Sequence, residues 1–267
     1  MTWLSIHFYP LETENVFLTR AVKPFLEQYI WPRQGARAFF VRYEDAKGRH
    51  IRLRLRGEAD WLEETLRPAL AGWFEGRGEW QEVAYKPETE RFGGTDGLAW
   101  AEEFFHISTR VVLERIGRET HTYGDAMFDA LRMHTMTAFA AGFKREKAGW
   151  YFGQLCDLWS GSFFPDEKDE KEDLQKVLKA DFEKNFEPQQ EALQAASNAL
   201  WKALETEKFD KSQPEWLRWF RGNQLILKEF GENLDKVLPS LIHLTNNRLG
   251  VNNQDEVYLN YILSKVL

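Results

Sequence analysis

The chain has 267 residues, 43% of them hydrophobic, and 35 Lys and Arg against 42 Asp and Glu give a formal charge of -7. That balance argues against a general nucleic-acid binder, which needs a basic surface to neutralise phosphate, so no direct nucleic-acid binding is expected. Cys156 is the only cysteine, which excludes an internal disulfide and a thiolate metal cluster and fits a reducing, cytoplasmic setting.

The N-terminus "MTWLSIHFYP" lacks the basic start and long apolar core of a signal peptide. No run of roughly 18 apolar residues appears, so no membrane span is expected. "WLSIHFY" (Trp3–Tyr9) reads as a strand ended by Pro10. Glu14–Tyr29 has apolar residues at helical spacing, with Pro24 as a kink. Ala36–Glu44 is a strand, "DAKGR" a turn, and "HIRLRLR" a second strand of strict period two. Asp60 then opens a helix with Glu63 completing a capping box, its buried face marked by Trp61, Leu62, Leu66, Leu70 and Trp73. Glu79–Pro87 closes the series as a strand. The order is β-α-β-β-α-β, the ferredoxin-like pattern.

Beyond "RFGG" the periodicity turns helical, over Leu98–Gly117, Tyr123–Gly142, Trp150–Trp159, a long helix within Asp169–Glu207, Pro214–Leu234, Leu238–Leu249 and Asp255–Leu267. "PDEKDEKEDLQK" (Pro165–Lys176) is a charge run, read as a solvated loop and helix start or, less simply, as a lid over a cleft. The expected fold class is α+β. A ferredoxin-like sheet region (1–95) packs with a mainly helical half (96–267) in a single domain, 1–267.

Three stretches stand out chemically. On the second hairpin strand His50, Arg52, Arg54 and Arg56 share one face, and Ile51, Leu53 and Leu55 the other. If the apolar sides of both strands meet the core, Arg42 joins the cationic face. Either this is a solvated sheet face, or four guanidinium groups that repel one another wait for an anion. "YKPETERFGG" (Tyr85–Gly94) follows, with Glu88, Glu90 and Arg91 just before a Gly-Gly turn; local ion pairing to the hairpin arginines is the plainer reading for the two glutamates. In "PSLIHLTNNRLG" (Pro239–Gly250), His243 falls opposite the stripe Leu234, Val237, Leu238, Leu241 and Thr245, so it is not simply a core histidine. The histidines show no metal-site spacing, no nucleotide-binding loop is present, and no metal or cofactor is expected.

In that order "FFVRYEDAKGRHIRLRLRG", "YKPETERFGG" and "SLIHLTNNRLG" resemble the C-terminal elimination domain of the nisin-type lantibiotic dehydratases. That domain also occurs free-standing in thiopeptide-type bacteriocin biosynthesis proteins. The resemblance spans nearly the whole chain, which opens on the family's W-x-x-x-x-x-Y-like strand. It implies an enzyme, a lyase that removes glutamate from glutamylated Ser or Thr of a precursor peptide and leaves dehydroalanine or dehydrobutyrine. The family's H-x-R-x-R element matches Arg52 and Arg54, its E-x-x-R-[YF]-G-G element Glu88 and Arg91, and its late histidine His243. These five are the catalytic candidates, with Arg42, His50, Arg56, Asn247 and Arg248 as substrate-binding candidates. The family's large glutamylation domain and its winged-helix peptide-binding element have no counterpart here. The resemblance therefore implies a stand-alone elimination component partnered by the precursor peptide and by a separate glutamylation enzyme that uses glutamyl-tRNA. It also implies homodimers, which the family often forms.

Under that reading Arg52, Arg54 and Arg91 bind the glutamyl carboxylate and the developing negative charge, since arginine's planar fork suits a carboxylate. His243 is the general acid/base, and Glu88 orients an arginine or is itself the base. Two other functions compete. A thiopeptide pyridine synthase on the same fold joins two dehydroalanines in a [4+2] cycloaddition and expels the leader peptide; it handles no glutamate. A non-catalytic scaffold would bind the precursor peptide without turnover.

Overall fold

The computed structural model describes residues 1–161 and 168–267, with side chains throughout except for residues 168–173. The charge run Pro165–Lys176, and with it the lid reading, begins outside the described residues. The chain forms two compact units: residues 1–122 with 228–250, and residues 123–227 with 251–267. The boundary expected near residue 95 falls inside the first unit.

The first unit is built on a four-stranded antiparallel sheet in the order β2-β3-β1-β4. Its strands are β1 (Thr2–Pro10), β2 (Arg37–Asp45), β3 (Gly48–Gly57) and β4 (Gly78–Glu82). β4 stops short of the expected Pro87, although Val83 still donates to the Ser5 carbonyl at 3.0 Å. Between β1 and β2 runs a helix of three parts: α1 (Glu14–Phe17), a π-helical turn (Leu18–Val22) and α2 (Lys23–Tyr29). Between β3 and β4 the same pattern repeats: α3 (Ala59–Trp61), a π turn (Leu62–Leu66) and α4 (Arg67–Trp73). Each widened turn lies just ahead of a proline, Pro24 or Pro68. A proline ring lacks an N–H and crowds the carbonyl four residues back, and the wider turn relieves both. The capping box expected at Asp60 does not form: the N-cap is Glu58, and no side chain caps it.

One sheet face is core. Leu4, Ile6, Phe8, Ala38, Phe40, Ile51, Leu53 and Leu55 are buried there, and Phe8 stacks on Phe17 at 4.3 Å and tilts against Phe74 at 5.2 Å. Register corrects one expectation on this face. Arg42 pairs with Ile51, so it lies on the core face and not with His50, Arg52, Arg54 and Arg56. The β2 sequence is ambiguous because Phe39, Val41 and Tyr43 are as apolar as Ala38 and Phe40. The pairing of Asp45 with Gly48 across the tight turn decides between them.

The unit also holds a 3-10 turn (Thr89–Phe92), α5 (Gly94–Ile116) and, late in the chain, α11 (Leu234–Leu249). Gly93 joins the turn to α5 at φ 83°, a left-handed conformation that a side chain would strain. The helix expected through Leu234 breaks into a 3-10 stretch (Leu227–Asn233) bent at Gly231, and α11 starts anew.

The second unit holds α6 (Tyr123–Ala140), α7 (Arg145–Ser160), α8 (Lys168–Phe186), α9 (Gln190–Glu205), α10 (Pro214–Ile226) and α12 (Asn253–Val266). The single long helix expected within Asp169–Glu207 is two, divided by a 3-10 turn (Glu187–Gln189) that carries Pro188. Cys156, Phe182, Phe186, Val257, Tyr261 and Ile262 share its core. Among the described residues, no helix is long and apolar enough to cross a membrane.

Candidate functional site

The sheet face opposite the core carries the chemistry. In register across it lie Trp3, Ser5 and His7 of β1, then Arg56, Arg54 and Arg52 of β3, then Arg37, Phe39 and Val41 of β2. Arg37 is paired with Glu103 of α5 at 2.6 Å. The other three form no ion pair among the described residues, whereas Arg33, Arg49, Arg67 and Arg77 elsewhere in the unit each hold a glutamate. Arg52 instead donates from Nε to Nε2 of His50 at 3.3 Å and lies over the Tyr43 ring, 3.2 Å from its centroid. Arg54, 8% exposed, donates to the Ile6 carbonyl at 3.3 Å and has Nη2 3.3 Å from Nε2 of His7. Burial, and then the charge of Arg52, lowers the Arg54 pKa to about 10. An environment that lowers an arginine pKa is one that an anion would improve.

Over the end of this face lies an aromatic layer. The Trp3, Phe39 and Tyr85 rings meet edge-on at 5.2–6.0 Å. The Arg54 guanidinium sits 5.6 Å from the Tyr85 centroid. The Tyr85 hydroxyl donates to Glu102 of α5 at 3.1 Å; burial raises the pKa of both groups. Behind Phe39 and Phe105 is Arg248 of α11, fully buried, its guanidinium 4.7 Å from the Phe105 ring. One of its nitrogens donates to the Leu244 carbonyl at 2.8 Å, while Nε and Nη2 have no partner. Burial lowers its pKa to about 9.

The remaining candidates tie elements together. Arg91 donates to Glu88 at 2.8 Å and to Ser240 of α11 at 2.8 Å, so the turn is fastened to α11. Glu88 thus pairs with Arg91, not with the hairpin arginines. The Asn247 amide brackets the Arg42 backbone, accepting from its N–H and donating to its carbonyl, both at 2.9 Å. The Arg42 guanidinium is committed to Glu14, Asn15 and the Arg248 carbonyl. His243 is half-buried on α11, three residues after Ser240 and four before Asn247. At that spacing it shares a helix face with the residues that reach Arg91 and β2.

Sequence reasoning missed His7, Tyr85 and Glu102. His7 carried a signal, since it falls on the Trp3–Ser5 face of a period-two strand, but the β1–β3 pairing that brings it to Arg54 joins residues far apart in the chain. In the second unit, Trp150, Cys156, Asp157, Lys179, Tyr261 and Lys265 line a shallow depression. Burial raises the Cys156 pKa to about 11, so it stays a thiol and a poor nucleophile. No cluster of His, Cys, Asp and Glu among the described residues could hold a metal ion.

A family model described as the C-terminal part of lantibiotic biosynthesis dehydratase matches residues 3–267. No curated protein matches the chain. Among solved structures, the chain is similar to the pyridine synthase TbtD from thiomuracin biosynthesis, with a TM-score of 0.77 at 15% identity, covering 100% of this chain and 97% of that one. It is similar to TsrL, with a TM-score of 0.71 at 14% identity over 99% and 93% of the two chains. It is also similar to the tRNA-dependent lantibiotic dehydratase MibB from Microbispora sp. 107891, with a TM-score of 0.63 at 20% identity. There it covers 99% of this chain but 28% of that one. Those three likenesses concern the fold; the match over residues 3–267 identifies the lineage, and this chain belongs to the family of lantibiotic biosynthesis dehydratase C-terminal domains.

Proposed function

We propose that this chain is the stand-alone elimination component of a split lanthipeptide or thiopeptide dehydratase, acting as one domain over residues 1–267. We also read the strand order β2-β3-β1-β4 as the ferredoxin-like arrangement. Its partners are a glutamylated precursor peptide and a separate glutamylation enzyme, its setting is the cytoplasm, and its active form is a homodimer. The observation that supports this reading best is the absence, among the described residues, of any ion pair to Arg52, Arg54 or Arg56, while Arg37 on the same sheet face holds Glu103. Three uncancelled cations on one sheet face call for an anionic ligand, and a glutamyl ester carries one carboxylate and releases a second.

In the proposed step a base removes the Cα proton, that electron pair forms the Cα–Cβ double bond, and the Cβ–O bond breaks to release glutamate. Arg52, Arg54 and Arg91 hold the glutamyl carboxylate and the charge that develops on the peptide carbonyl, each contact contributing about 3 kcal/mol. His243 moves the proton, a role worth about a hundredfold in rate. Glu88 on Arg91 favours the orienting role over that of base. Arg42 and Asn247 are left out of substrate binding because each is committed to the other's strand or helix.

The test supplies the purified chain with a glutamylated precursor peptide and follows mass. Wild type should lose glutamate, and His243→Ala and Arg54→Ala should accumulate the ester while remaining folded. Equal dehydration by both variants would sink these roles. The full-length likeness to a pyridine synthase favours a second reading, cycloaddition with leader expulsion. A peptide with two dehydroalanines separates them, since ring formation with leader release marks the synthase.

A further inference from the structure

The geometry points to His7 and His50 as positioning residues that hold the guanidinium groups of Arg54 and Arg52 while leaving their charge uncancelled. Arginine only donates, so the ring nitrogen facing it must be an unprotonated acceptor. For His50 that nitrogen is Nε2, 3.3 Å from Arg52 Nε, and its Nδ1 lies 3.2 Å from the Gly48 carbonyl, to which it donates. For His7 it is again Nε2, 3.3 Å from Arg54 Nη2. The two imidazoles stack at 5.0 Å, so each ring also fixes the plane of the other. His50 is fully buried, which makes it a support for Arg52 and not a contact for substrate.

A carboxylate in either place would orient the arginine equally well but would neutralise it, as Glu103 does for Arg37. A neutral imidazole supplies direction without charge. The groups facing the pair are Arg52 and Arg54 on β3, Tyr43 and Asp45 on β2, Tyr9 on β1 and, in register with His7 on β4, Gln81. Burial, and then the charges of Arg54 and Arg52, lower the His7 pKa to about 4. Asp45 pulls His7 the other way, but it already accepts from the Tyr9 hydroxyl and the Lys47 N–H.

The activity arm of the test rests on the elimination reading; the nitrogen arm does not. Long-range proton–nitrogen correlation on protein labelled in its histidines should show both rings at pH 7 as the Nδ1–H form with Nε2 bare. An imidazolium, or an Nε2–H form, at either position overturns the proposal. On glutamylated peptide, His7→Phe keeps a stacking ring but loses the acceptor, and kcat/KM should fall about tenfold with the fold intact. His7→Gln, which returns an acceptor near the Nε2 position, should recover most of that loss. Wild-type activity in His7→Phe, or no advantage of Gln over Phe, also overturns it. Failure of wild type to release glutamate would instead sink the elimination reading, and the nitrogen measurement would still decide the role of the histidines.

Discussion

Arg248 and Arg42 are both deeply placed arginines, yet they should respond to mutation in opposite ways. Arg248 keeps one hydrogen bond, about 1 kcal/mol, and lies over the Phe105 and Phe39 rings, together up to about 2 kcal/mol. Against these stands a desolvation cost of several kcal/mol for a charge with no counter-ion. With Nε and Nη2 unpartnered and no counter-ion, burial is the larger effect, and it lowers the pKa to about 9. Arg248→Met, similar in length and apolar, should therefore leave thermal stability unchanged or raise it by about 1 kcal/mol. Arg42→Met strands Glu14 and Asn15 and should cost about 3 kcal/mol. Thermal melts of the two variants check the contrast, and a destabilised Arg248→Met would mean that an unseen partner balances its charge.

At the scale of elements, the exposed edge of β2 is closed by side chains. His106 Nδ1 accepts from the Ala38 N–H at 3.1 Å, Thr109 accepts from the Phe40 N–H at 3.3 Å, and Asn247 takes both groups of Arg42. An open edge invites pairing with another chain, so these bonds serve solubility as well as stability. Asn247→Ala frees two backbone groups and should cost about 2 kcal/mol, read as a lowered urea midpoint, with aggregation rising before unfolding is complete. None of this closure could be read from the sequence, because it joins residues some seventy to two hundred positions apart. What the sequence did reveal was the alternation in β3, where polar and apolar residues strictly take turns. β2, apolar on both faces, left the place of Arg42 open, and only the hairpin register resolved it. Pro24 announced a disturbed helix; Pro68 does the same work but sits in a run whose leucine spacing reads as unbroken. On α11 the apolar stripe marked one buried face correctly, yet it gave no sign that Asn246 and Arg248 would be buried as well. β2 and α5 both pack against this helix, and that enclosure is a tertiary fact.

For the molecule as a whole, the histidines determine how stability changes with acid. His7 and His106 both have pKa values lowered from 6.5 to about 4, chiefly by burial. The unfolded chain therefore binds protons on these groups at a pH where the folded chain does not. Their contribution is complete above pH 6.5, is lost as pH falls from 6.5 to about 4, and changes little below that. Each histidine adds up to about 1.4 kcal/mol per pH unit to the slope. Glu102 works against them, since burial raises its pKa and protonation relieves a cost in the folded state. The carboxylates held below their usual range, among them Asp45 and Glu79, lose their contribution only at lower pH, so the first decline belongs to the histidines. Melting temperatures should thus fall steadily from pH 6.5 towards 4.5, and replacing His7 and His106 together by Gln should flatten that arm without moving the carboxylate step below it. An equally steep decline in the double variant would assign the acid sensitivity to other groups.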